Sequence, residues 1–325
     1  MHSTLISSAQ HLLESRTRRI RRRVGLKLVK AHLNAVAVAA SVAALLLVAA
    51  ACGESRSHTA SGTSPPAKKI SAGDFSRASF DHSTVVDNPW LPLRPGRMLV
   101  FKGTTFEDGV RISHRLVSTV TDLVKPVAGV RNVVVWEQDW RGGTLAEAEL
   151  AFFAQDNEGN VWHLGEYPAE YEGGKIVATP AWIHGIEGAT AGIAMTAHPR
   201  LGAADYAQGF APPPVNWADR GQTYKVDQQT CVPAGCYKGV LVIREFERSK
   251  PDASQLKYYA RGRGNVRVGW LGANDEDHEV LVLTRVRNLD AKAMARVRRQ
   301  ALLLERYAYQ GSKAVYGRTA PSMRR

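Results

Sequence analysis

The chain has 325 residues, 44% of them hydrophobic and 22% charged, with a formal net charge of +13. That charge sits at the ends: residues 1–51 carry a net +7 and residues 291–325 a net +8, whereas residues 52–290 carry a net −2. A nearly neutral body lacks the basic footprint that phosphate backbones require, which excludes nucleic acid as its partner.

The first element is an export signal over residues 1–51. Arg16, Arg18, Arg19, Arg21, Arg22, Arg23, Lys27 and Lys30 form its basic region, and an alanine-rich apolar run from Ala35 to Ala51 follows. At 1.5 Å per residue such a run reaches about 26 Å, short of the roughly 30 Å hydrocarbon core, so cleavage is expected rather than a permanent span. Ala49-Ala50-Ala51-Cys52 resembles the lipobox of bacterial lipoproteins, and the same alanines also satisfy the small-x-small rule of ordinary secretion. The exported chain contains three cysteines; pairing Cys231 with Cys236 leaves Cys52 odd, and a thioether-linked lipid accounts for it. Arg22-Arg23-Val24-Gly25-Leu26-Lys27 resembles a twin-arginine motif, leaving open which export route is used, and Val24 is an alternative start to Met1. The address is the outer face of a bacterial cell membrane with a lipid anchor on Cys52, secretion being the alternative.

Residues 52–74 read as the lipidated cysteine and a flexible tether, almost devoid of apolar side chains. Residues 75–289 read as one all-β domain. Leu150, Phe152 and Ala154 alternate with Glu149 and Gln155, and Val134, Trp136 and Trp140 alternate with Glu137, Asp139 and Arg141, the period of half-buried antiparallel strands. Turn signals such as Gly142-Gly143 and Gly173-Gly174 punctuate these runs. The expected fold is a curled antiparallel meander, a half-barrel of about nine to eleven strands. Residues 180–221 are the exception, a long irregular crossing rich in Gly, Ala and Pro. Residues 290–325 are expected to form a basic amphipathic helix capped by Asp290, then a disordered tail from Gly311. The helix seam (Met294, Val297, Ala301, Leu304, Ala308) is suited to docking on the sheet or, with its basic face, to anionic lipid.

Four residues separate Cys231 from Cys236 across a hairpin turn, a spacing that suits a structural disulfide in an oxidising compartment. Trp136, Trp140, Phe152, Trp162 and Tyr258 are the candidates for lining a ligand pocket on the concave face, with core filling as the alternative use of the same rings. The histidines lack ligand spacing: His114 reads as a core histidine, and His163, His184 and His198 surround the irregular crossing. Asn274 to Glu279 form an acidic run without the register of a calcium loop, and read as a solvated turn. Glu137 with Asp139, or Glu147 with Glu149, are carboxylate pairs, more simply read as the wet face of a sheet. No metal, cofactor or catalytic residue is assigned.

Asp87-Asn88-Pro89-Trp90-Leu91-Pro92-Leu93-Arg94-Pro95-Gly96, Phe153-Ala154-Gln155-Asp156 with Gly159-Asn160-Val161-Trp162, and Lys257-Tyr258-Tyr259-Ala260 resemble a family of bacterial secreted proteins and lipoproteins abundant in actinobacteria. The resemblance covers about residues 75–288. It implies a curled sheet similar to the lipoprotein-localisation-factor superfamily and carries over no catalytic residues. The expected function is a non-enzymatic, membrane-tethered protein whose half-barrel binds an apolar or amphiphilic ligand or an envelope partner protein. The alternatives are an extracytoplasmic hydrolase using carboxylates and histidines of the 137–166 strands and the 180–221 crossing, and an envelope scaffold with a filled core.

Overall fold

The computed structural model describes Phe75 and residues 80–107, 109–250, 252–273 and 278–325. The export segment, the tether with Cys52, and Asn274–Asp277 of the acidic run lie outside these residues. β1 (Arg97–Glu107), β2 (Val110–Val127), β3 (Val130–Arg141), β4 (Thr144–Gln155) and β5 (Val161–Glu172) follow one another as an antiparallel meander. The β3–β4 turn has Gly142 and Gly143 both at positive φ, the geometry that matches a hairpin turn to strand twist. A second meander contains β11 (Arg220–Val232), β12 (Gly235–Phe246), β13 (Ser254–Ala260), β14 (Gly264–Leu271) and β15 (Glu279–Asn288), and β15 returns to pair with β1.

Between the two meanders lie β6 (Lys175–Ala178), β7 (Trp182–Ile183), β8 (Thr190–Met195), β9 (Tyr206–Ala207) and β10 (Gly209–Phe210). The hydrogen-bonded order is β10-β8-β5-β4-β3-β2-β1-β15-β14-β13-β12-β11-β9, with β6 and β7 beside β5 and β16 (Met323–Arg324) beside β2. The 16-stranded sheet is unclosed, yet its two end strands, β9 and β10, are separated in the chain by Gln208 alone. The sheet therefore curls until one residue bridges its ends. Ten of these strands have seven or more residues, within the expected nine to eleven. Most of the short ones fall in the 180–221 crossing, which forms the sheet edges rather than a loop.

Alternation gives the sheet two faces. On the outer face, Val134, Leu150, Phe152, Leu164 and Tyr167 are buried beneath helix α1 (Ala291–Gly311). Asp290 caps α1 by accepting a hydrogen bond from the Ala293 amide at 2.7 Å, and the predicted seam is the buried side, with Lys292, Arg296 and Arg299 left exposed.

The tail corrects the expectation of disorder. Tyr316 is fully buried, and its hydroxyl donates to Glu305 Oε1 at 3.1 Å. The Ser322 amide and hydroxyl donate to the same carboxylate at 3.0 and 2.8 Å, and Met323 and Arg324 pair with Val124 and Leu123. Lys125, fully buried on β2, completes the knot by reaching Glu305 Oε1 at 2.8 Å and the Tyr309 hydroxyl at 2.9 Å. One acceptor thus gathers donors from strand, 3-10 turn and tail, which hydropathy alone does not foretell.

The Asp87–Gly96 motif is structural. The Asn88 side-chain oxygen accepts from the Trp90 and Leu91 amides, and its NH2 donates to the Gly159 and Thr196 carbonyls. Asp156 accepts from the Trp162 indole at 2.8 Å and from both the amide and side chain of Asn160. These bonds seat the motif across one end of the curled sheet. At the far hairpin, Cys231 and Cys236 form a disulfide between opposed residues of β11 and β12.

Replacing Lys125 by Met strands Glu305 in the interior and is expected to cost about 3–5 kcal/mol in urea denaturation. The double variant Lys125→Met with Glu305→Gln should recover most of that loss.

Candidate functional site

Strand register stacks the inner face into rows. Val120, Val135, Ala151 and Glu166 are lateral neighbours, then Ser118, Glu137 and Glu149, then Leu116, Asp139 and Glu147. A cavity of about 630 Å³ runs over these rows. At one end it has an apolar floor, where Leu91 and Leu93 of the Asp87–Gly96 motif meet Val120, Val135, Phe153 and Tyr259. The remainder of its wall carries the carboxylates, to which Asp219, Glu245 and Glu279 add from other parts of the chain, interspersed with Arg97, Arg263 and apolar side chains such as Phe101 and Val268.

Opposed like charges repel across a strand pair, and here Glu137 faces Glu149 and Asp139 faces Glu147. Burial is the leading cause of the resulting shifts, with neighbouring carboxylates adding to it. Glu147 is pushed up to about 7 and Glu166 to about 8, while Glu149 is held well above the usual carboxylate range. Burial also raises Glu137 and Glu279, and takes Asp219 to about 6. Lys257 is the cation set among them, its Nζ 2.6 Å from Glu245 Oε2. Burial opposes its charge, but Glu245 and its other neighbours outweigh that and hold its pKa above the ordinary value.

Two histidines reach this wall. His114 is buried and its Nε2 lies 2.8 Å from Asp139 Oδ1, so the expected core histidine is partnered by a carboxylate of the site. His163 stacks on Phe153 with ring centroids 4.7 Å apart, and the edges of Trp182 and Trp217 meet it at 5.0 and 5.5 Å. Burial depresses its pKa to about 3, so the imidazole is neutral. His184 instead accepts from the Ala191 amide, and His198 is exposed beside the Asp87–Trp90 segment.

The five aromatic candidates are not brought together on the cavity wall. Phe152 and Trp162 belong to the outer core, with Trp136 packed against it. Trp140 lies under the Arg115 guanidinium at 4.3 Å, and Tyr258 packs with Val232, Ala234 and Tyr237 near the disulfide. The reason is periodicity: these rings occupy the strand positions opposite to the carboxylates, and that face is covered from outside. The acidic run contributes Glu279 to the cavity, whereas its neighbour His278 stacks on Phe106 and Trp270. Sequence reasoning missed Glu166, Asp219, Glu245, Lys257 and Glu279 as members of the site. Among the described residues, no group of three His, Cys, Asp or Glu side chains is arranged to hold a metal ion.

No protein-family model matches the chain, and no curated protein is similar to it in sequence. Among solved structures, similarity is found to a protein inferred to be exported, with a YmcC-like fold, from Bacteroides fragilis, at 15% identity and a TM-score of 0.35. That match covers 61% of this chain and 98% of the other. A protein inferred to be a lipoprotein, from Parabacteroides distasonis, matches at 12% identity and a TM-score of 0.34, over 62% of this chain and 100% of the other. At these values neither fold nor role transfers to this protein.

A carboxyl raised above its unfolded value keeps a proton that the unfolded chain has already lost, so folding becomes less favourable as pH rises through that interval. For Glu166 the interval runs from about 4.5 to about 8. Thermal stability is therefore expected to fall between pH 5 and pH 8. Glu149→Gln and Glu166→Gln should flatten the profile and raise Tm at pH 8 by a few degrees, at roughly 2–4 °C per kcal/mol. A Tm that climbs over this range in the unmodified protein would show that the cavity carboxylates titrate normally.

Proposed function

We propose that the protein is an exported, lipid-anchored binding protein whose curled sheet holds an amphiphilic ligand. The observation that carries this reading is the two-part cavity, apolar where the Asp87–Gly96 motif plugs it and rich in carboxylates beyond. Its volume falls within the roughly 300–1,000 Å³ of small-molecule sites. Export is supported by the N-terminal pattern and by the Cys231–Cys236 disulfide, which suits an oxidising compartment. Anchoring is supported by Cys52 behind three alanines and ahead of a polar tether. Two or more acyl chains on that cysteine would hold the protein stably, at about 0.8 kcal/mol per buried methylene.

Hydrolysis is the second reading, favoured by the opposed pairs Glu137–Glu149 and Asp139–Glu147. A carboxyl near 7, such as Glu147, is suited to general acid work at neutral pH.

Native mass spectrometry of protein extracted from membranes tests the first reading. The expected spectrum shows diacylglyceryl on Cys52 and a non-covalent small molecule that survives extraction. An unmodified Cys52 would remove the anchor, and an empty cavity together with turnover that Glu147→Gln abolishes would favour the hydrolase. The Cys52→Ser variant is expected in the soluble extracytoplasmic fraction, followed by immunoblotting of fractionated cells.

A further inference from the structure

The cavity is lined by eight carboxyl groups against three basic side chains, Arg97, Lys257 and Arg263, and burial lets several of those carboxyls keep their protons near neutral pH. Lys257 is engaged by Glu245; the Arg97 guanidinium donates to the Gly262 carbonyl at 2.9 Å through one nitrogen, its other two having no hydrogen-bond partner, and Arg263 lines the same cavity. Glu147 and Glu149 have no ion-pair partner among the described residues, and Glu166 has His163 at 3.7 Å and the Trp182 side chain beside its carboxyl. An independent observation lies beside them. His163 is only 8% exposed and lines the same cavity, yet its Nε2 has no hydrogen-bond partner. A buried polar atom left unpaired costs free energy, and such an atom facing a cavity marks where a ligand group completes it. Phe153 and Trp217, also on the wall, pack against that imidazole and hold its orientation.

We infer that the Glu147–Glu149–Glu166 side of the cavity, with His163, seats the positively charged head of an amphiphile, an ammonium or guanidinium group. The inference rests on the amphiphile-binding reading and adds the chemistry of the head. A cation seated there favours ionisation of these raised carboxyls and gains charge-assisted hydrogen bonds from the carboxylates so formed, which a neutral head does not. The apolar remainder of the ligand lies against Leu91, Leu93 and Val120 on the floor.

The test is calorimetric titration of the exported protein with dodecylammonium, dodecanol, dodecanoate and ethylammonium, each below its aggregation concentration. Dodecylammonium is expected to bind at least about tenfold more tightly than the other three, the worth of one charged hydrogen bond. Glu149→Gln and Glu166→Gln should abolish the advantage over dodecanol, with circular dichroism and a cooperative thermal transition reporting that the variants are folded. Should a variant not fold, the four-ligand comparison on the unmodified protein decides. Equal binding of dodecylammonium, dodecanol and dodecanoate would overturn the cation seat and leave the amphiphile reading standing. Ethylammonium binding as tightly as dodecylammonium would overturn the amphiphile reading and support the seat, and no binding of any of the four would overturn both.

Discussion

The large apolar side chains on the outer face of β3 to β5 need a cover, and α1 supplies it. Phe152, Leu150 and Tyr167 are covered by Ala301, Leu304, Ala308 and the returning tail. Because strand side chains alternate strictly, covering these residues commits Glu137, Glu149 and Glu147 to the opposite face. The sheet curls toward that face, so a row of charges that would be an unremarkable wet surface on a flat sheet becomes a chamber wall. The Lys125–Glu305 contact fixes the arrangement, since it ties the helix to β2 through two groups that are unfavourable to bury apart.

The acidic interior is costly, and the molecule shows how it is tolerated. Raised pKa values let several carboxyls keep their protons near neutral pH, which removes charge where burial would otherwise repel it. Lys257 neutralises the side of the chamber formed by β12 and β13, with Glu245 held additionally by the Gln208 amide at 2.9 Å. An arrangement that opposes like charges at two successive positions of one strand pair, β3 with β4, conflicts with stability, and such conflicts concentrate at functional sites.

The architecture was legible because its signals are local. Period-two alternation and the Gly142-Gly143 turn predicted the central hairpins, and Asp290 with its seam predicted α1. The pairing of Glu137 with Glu149 follows from near-mirror symmetry about that same turn. What could not be read was which face would be concave, because alternation describes two faces and assigns neither to the inside. Alternation alone therefore suits the aromatic residues to either face, and they lie on the outer one. The order of the tail is invisible to patterning because one buried tyrosine and one shared carboxylate leave no periodic trace. Glu166 follows from the β4–β5 register, whereas Asp219, Glu245 and Lys257 join the site through contacts between distant parts of the chain, which no spacing encodes.

Gln208 has a consequence for the girth of the chamber. In a closed barrel, strand number and stagger fix the diameter, because every strand is laddered to two neighbours. Here the circuit is completed by a peptide backbone running from β9 to β10, not by a ladder between them. The perimeter is thus free of the integer registry that a closed barrel must obey, and its width follows from the side chains packed within. A sheet joined this way can be resized by substitution without a change in strand number.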